Sequence, residues 1–134
     1  MSDVAATGER VSREPSPTIP GISDSVRVSA GDLLFLSGVV GLRPGGVAAE
    51  DFAEEIDLVF GELERALSAR GATLSSLVRV NVYIVGLSPE KLATYRTVRD
   101  RWIDPENVPA STLVGVAALF ADTCTIEIDA IAAV

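Results

Sequence analysis

Between Asp51 and Val85 the spacing of apolar residues changes from threes and fours to twos, and that change restricts the chain to folds that lay helices on a sheet. Over residues 51–70, Phe52, Ile56, Val59, Phe60, Leu63 and Leu67 recur at helical intervals with charges between them, which predicts a helix burying one face. Gly71 caps it. Over residues 75–85, Val78, Val80, Val82 and Ile84 alternate with Arg79, Asn81, Tyr83 and Val85, the pattern of a central strand with two unlike faces.

The rest of the chain extends this alternation of periods. Ser88-Pro89-Glu90 combines a serine N-cap, a proline at the first helical position and an acid near the positive end of the dipole. Leu92, Tyr95, Val98 and Trp102 form the buried stripe of that second helix, and Asp104-Pro105 stops it. Strands follow over 111–119 and 124–132. Upstream, residues 25–29 alternate, Ala30-Gly31-Asp32 turns and 33–38 reads as a buried strand, so the three together suggest a hairpin. Residues 39–47, with Pro44-Gly45-Gly46, read as an irregular strand and turn. Residues 1–20, with Pro15, Pro17 and Pro20 and no sustained apolar period, read as a flexible N-terminal arm or edge extension, leaving 21–134 as one domain. The order of elements predicts an α+β fold: a mixed six-stranded sheet with two helices on one face. The other face would still carry apolar side chains from several strands, which predicts a homo-oligomer built through the sheets.

Composition then removes whole classes of chemistry. The 134 residues hold no histidine, so no imidazole is available for a Ser/His or Cys/His dyad or for a His-ligated zinc. A single cysteine, Cys124, excludes an intrachain disulfide and a cysteine metal cluster, and it reads as an ordinary strand residue. A net charge of −8 with scattered basic residues argues against nucleic acid and anionic membranes as partners. With no apolar run near the roughly 20 residues of a membrane span and a polar start, the expectation is a cytoplasmic protein.

Five short features are candidates for chemistry. Glu127 and Asp129 stand two apart on one strand and project to the same face, opposite Ile126 and Ile128. Two readings fit that spacing: a solvated strand face, or a partly buried carboxylate that holds water as a general base. Ser37-Gly38 at a strand end fits a glycine-enabled turn or bulge, and equally a hydroxyl and backbone N–H that bind a carboxylate or carbonyl oxygen. Ser111, after Pro109-Ala110, is a turn-to-strand residue on its own merits. Tyr83, Tyr95 and Trp102 suit core or interface better than stacking platforms, and Gly41 to Gly46 lacks the lysine and following helix of a phosphate loop.

Taken together, Leu36-Ser37-Gly38, the helix ending Ala69-Arg70-Gly71-Ala72, Leu77-Val78-Arg79-Val80-Asn81-Val82-Tyr83-Ile84, Pro109-Ala110 and Ile126-Glu127-Ile128-Asp129-Ala130-Ile131-Ala132 resemble the RidA (YjgF, reactive intermediate deaminase) family. The resemblance implies a chorismate-mutase-like fold and a homotrimer with small-metabolite clefts between subunits. It also implies hydrolysis of enamines and imines such as 2-aminoacrylate to a 2-oxo acid and ammonia, without metal or cofactor. On that resemblance Glu127 matches the glutamate that positions water, and Ser37 and Gly38 match the substrate-contacting Ser-Gly. An arginine that anchors the substrate carboxylate in active members corresponds to Ser111, and a tyrosine usual near the chain start falls at Asp24. Loss of a bidentate clamp costs roughly 2–5 kcal/mol where the charge pair is buried, and Asp24 nearby would repel an anion. The resemblance therefore implies an arginine-lacking branch: either an imine or enamine hydrolase acting on a neutral or differently charged substrate, or a non-catalytic metabolite-binding trimer. Ribonuclease activity, attributed to some relatives, fits poorly with the acidic charge and missing histidine.

Overall fold

Alternating strands surrounding two amphipathic segments build one sheet with a helical layer. The computed structural model describes residues 10–134. Its six-stranded sheet contains β1 (Val11–Pro15), β2 (Ser23–Val28), β3 (Leu33–Val40), β6 (Leu77–Val85), β7 (Ala110–Val116) and β8 (Ile126–Ala133), in the spatial order β1-β2-β7-β6-β8-β3. A small ribbon of β4 (Leu42–Arg43) and β5 (Val47–Ala48) follows β3. Helices α1 (Phe52–Ser68) and α2 (Pro89–Trp102) contribute to a shared core against one sheet face. Pairing of β6 is parallel to β7 and antiparallel to β8, so the sheet is mixed and the fold is α+β as expected.

Both helices begin on side-chain caps, of which the one at Ser88 was read from sequence. Asp51 accepts a hydrogen bond from the Glu54 amide at 2.8 Å, and Ser88 accepts one from the Lys91 amide at 3.1 Å. At the other end of α1, Gly71 adopts φ +73° and the Ala72 amide returns to the Leu67 carbonyl, a left-handed close that satisfies a terminal carbonyl. Between helices and sheet, Ile56, Val59, Leu63, Val82, Ile84, Ile126 and Ile128 are wholly buried. Phe60 stacks on Tyr95 and Trp102, with ring centroids 6.3 and 6.0 Å apart. The buried Glu55 ties α1 to the start of β8, accepting from the Thr125 amide and hydroxyl at 2.6 Å and from the Ile126 amide at 3.1 Å.

Three expectations need correction. The hairpin over residues 25–38 does not form: β2 pairs with β1 and touches β7 at a single position, Ser23 opposite Ala110, while β3 lies at the far edge against β8. The turn residues were legible, but which strands become neighbours is settled by burial of the two most buried strands, β6 and β8, which no local turn encodes. The arm over 1–20 is also divided. Residues 1–9 lie outside the described residues, and Val11–Pro15 forms an edge strand. That strand lacks an apolar period because polar groups help to hold it. The Arg13 guanidinium donates to the carbonyls of Leu77, Val108 and Ser75, each at 2.9 Å, across the end of the sheet. Lastly, β3 is not buried throughout: Leu33, Phe35 and Ser37 are exposed and alternate with partly buried Leu34, Leu36 and Gly38, because only one of its faces meets a helix.

Candidate functional site

Where β3 meets β8 the ladder carries an extra residue. Leu36 pairs with Ala130 and Val39 with Ile128, so Ser37 and Gly38 both stand opposite Asp129 in a bulge. A Cβ on Gly38 would collide with the Glu127 carboxylate. Glycine at this position is thus a space requirement: it lets the carboxylate of β8 lie against the backbone of β3. The bulge and the close approach of Ser37-Gly38 to Glu127 are one feature.

Glu127 belongs to a polar row on the sheet face that the helices leave open. Arg79 donates to Thr112 Oγ1 at 2.7 Å and to Asn81 Oδ1 at 3.2 Å. Asn81 and the Tyr83 hydroxyl in turn donate to the two oxygens of Asp129, at 2.8 and 2.9 Å. That hydrogen bond to Asp129 holds the Tyr83 phenol above its ordinary pKa, with desolvation and the negative charges of Asp129 and Glu127 adding to the rise. Tyr83, Glu127 and Asp129 line an open hollow of about 320 Å³ whose other wall includes Leu119 and Phe120. Around it, Phe35 is 70% exposed and Phe120 77%, so acid groups and bare aromatics share this face.

Ser111 is on the other side of the sheet. Its β6 neighbour is Val80, which is buried under the helices, whereas Glu127 pairs with Tyr83. Ser111 opens into a cavity of about 310 Å³ between α2 and the β7 edge, with Tyr95, Arg96 and Arg99 from α2 and Ile22 and Leu113 from the strand side. Beneath it a slot of about 10 Å³, room for one water, is closed by Phe60, Val80 and Ile103. Within one chain, Ser111 and Glu127 are not brought together.

Of the remaining candidates, Asp24 is exposed on β2 beside buried Ser23, and it lines neither hollow. Ser23 donates its hydroxyl to the Val108 carbonyl at 2.6 Å, fixing the chain next to Pro109. Cys124 is buried, and burial pushes its thiol above the ordinary pKa, which fits a structural residue. Among the described residues no three His, Cys, Asp or Glu side chains group as metal ligands, and no helix is long and apolar enough to cross a membrane. Arg96 and Arg99 were missed from sequence. Their signal was present: Arg99 follows Tyr95 by four residues, one turn along the stripe that faces the sheet.

A small α+β protein with helices on one face of a mixed sheet, an acid-bearing strand bulge and a helix-side cavity is the class these features define. Residues 16–134 match the family described as Endoribonuclease L-PSP. The chain is 33% identical over 96 residues to the RutC family protein YjgH of Escherichia coli, an alignment covering 71% of this chain and 72% of that one. It is 34% identical over 128 residues to Reactive Intermediate Deaminase A, chloroplastic, of Arabidopsis thaliana, covering 92% of this chain and 65% of that longer protein. A crystal structure of the Rid family protein YyfB from Yersinia pestis, of unknown function, superposes with a TM-score of 0.82 at 27% identity, over 93% of this chain and 99% of that one. The chain belongs to the RidA/YjgF family.

Proposed function

We propose that this chain acts as a homo-oligomer, a trimer as the family resemblance implies, with a small-metabolite cleft between copies where Glu127 of one meets the Ser111 cavity of the next. The observation that carries this reading is the placement of Ser111 and Glu127 on opposite faces of one sheet. A site using both needs two chains. The exposed Phe35, Phe120 and Val114 on the Glu127 side support an apolar contact there.

In that cleft the supported reaction is cofactor-free hydrolysis of an imine or enamine to a carbonyl compound. Glu127 accepts a proton from water as the oxygen bonds to the imine carbon and the C=N π electrons move to nitrogen. Return of that proton to nitrogen gives a carbinolamine; Glu127 then passes the hydroxyl proton to nitrogen as the C=O bond forms and the C–N bond breaks, so imine and water give carbonyl compound and ammonia. Tyr83 and Asp129 satisfy one another through their hydrogen bond, which leaves Glu127, with no hydrogen-bond donor among the described side chains, as the carboxylate available for water. Ribonuclease chemistry is not adopted, because an acidic chain without histidine lacks both the phosphate attraction and the usual acid-base pair.

A second reading, metabolite binding without turnover, is favoured by one observation: the Ser111 cavity holds no carboxylate of its own chain. Generating 2-aminoacrylate or longer imines in situ and following 2-oxo acid release separates the two. Hydrolysis predicts a rate above buffer that falls about 100-fold or more in Glu127→Gln; a rate equal to buffer for every imine leaves binding alone. Sedimentation as a monomer would remove the intersubunit cleft.

A further inference from the structure

At strand position 111 the cavity offers only a hydroxyl, yet two guanidinium groups reach it from α2. We propose that Arg99, assisted by Arg96, is the anion anchor of this cleft, taking from the helix the place of the cation that strand position 111 lacks. The inference rests on the intersubunit-cleft reading and names the residues that would hold an anion in that cleft.

Arg99 is only 8% exposed, an uncommon position for arginine and one that needs compensation. Its compensation is incomplete. Nε and Nη2 both donate to Asp100 Oδ1, at 3.1 and 2.9 Å, and the guanidinium carbon stands 5.8 Å from the Tyr95 ring centroid. Asp100 is the next residue, and its side chain is 66% exposed, so this partner approaches from the solvent side. Nη1 donates to no described group. Since no buried side-chain nitrogen or oxygen lacks a partner, Nη1 keeps solvent contact, and Arg99 lines the cavity.

The surroundings fix the head of Arg99 in place. Gly21 has φ +85°, and a Cβ there would collide with the guanidinium, so the loop entering β2 lies directly on it. One turn earlier, Arg96 is exposed, lines the same cavity and has no ion pair among the described residues. The opposing walls are Ile22, Leu87, Leu92 and Leu113, with the Ser111 hydroxyl between them. A planar carboxylate offers two oxygens to a guanidinium fork, and the apolar walls suit a short aliphatic chain better than a heavily hydrated phosphate. The cation that strand position 111 lacks is therefore supplied from the helix above it.

The test uses 2-oxobutanoate and its neutral amide as probes, titrated into the full chain and followed by NMR. The wild type is expected to prefer the acid. Arg99→Gln should weaken the acid about tenfold or more while leaving the amide unchanged, and Ser111→Arg combined with Arg99→Gln should recover the acid. If Arg99→Gln folds by circular dichroism and binds the acid as the wild type does, the anchor is overturned. Should Arg99→Gln not fold, Ser111→Asp keeps the test open: it sets a carboxylate beside Arg99 and should abolish acid binding with the amide retained, and unchanged acid binding overturns the proposal. Failure of wild type to bind either probe sinks the cleft itself; equal binding of both sinks only the anchor.

Discussion

Strands β6 and β8 have two faces built from alternate residues of the same stretch of sheet, and the faces have divided the work. Toward the helices stand Val80, Val82, Ile84, Ile126, Ile128, Ala130 and Ala132, none more than 5% exposed. Toward the open side stand Arg79, Asn81, Tyr83, Glu127 and Asp129, joined for the most part by hydrogen bonds. The side that stabilises the fold has nothing to ionise on these strands. The ionisable side is backed by a rigid apolar layer, so its groups are positioned without having to supply cohesion themselves.

That division can be broken most directly at neighbouring residues of β8. Ile128→Ala removes a fully buried side chain between α1 and the sheet and should cost about 2–5 kcal/mol. Asp129→Ala, one residue on, frees Asn81 and Tyr83 to bond with water and should cost under about 1 kcal/mol. Urea unfolding at one protein concentration compares them. Equal losses would mean that the open face is as much a part of the core as the covered one.

The two faces also differed in how far they could be read in advance. Period alone marked the buried residues of α1 and β6, because burial against a layer imposes a spacing on the chain. Pairing was not legible in the same way: the turn at Ala30-Gly31-Asp32 suggested β2 beside β3, yet these strands sit at different positions because β8 and β7 flank β6. For β1 the sequence left a flexible arm and an edge extension open, since its hold on the sheet end is a guanidinium on three carbonyls, an interaction without periodicity. At the site, Glu127 and Gly38 were readable as separate features. Their contact was not, for it depends on a bulge that joins strands far apart in sequence. Ser111 and Glu127 look like one site in sequence, and only the strand register assigns them to opposite faces.

A smaller change should act on function while sparing the fold. Gly38→Ala pushes a methyl group against the Glu127 carboxylate, the flexible end of a side chain, so the carboxylate can swing away. Stability is expected to fall by no more than about 1 kcal/mol. Any Glu127-dependent imine hydrolysis should drop to the level of Glu127→Gln. Retention of full turnover in this variant would show that the carboxylate does not act from its place beside the bulge.

The finest distinction between the faces lies in two tyrosines whose pKa values rise for different reasons. On the covered side, burial pushes Tyr95 up to about 12. On the open side, the hydrogen bond to Asp129 is the main cause of the rise at Tyr83. Asp129→Asn removes a negative charge that favours the neutral phenol, so Tyr83 should fall toward its ordinary value of about 10 while Tyr95 stays where it is. Absorbance at 295 nm against pH, with Tyr83→Phe to assign the steps, reads both. Linkage gives the sign for stability: Tyr95 is harder to ionise folded than unfolded, so its contribution is intact below about pH 10 and is lost as pH rises through about 12. Tyr95→Phe should therefore flatten the alkaline loss of stability, and Asp129→Asn should leave the part due to Tyr95 in place. A shift of both tyrosines in Asp129→Asn would mean that the sheet does not insulate one face from the other.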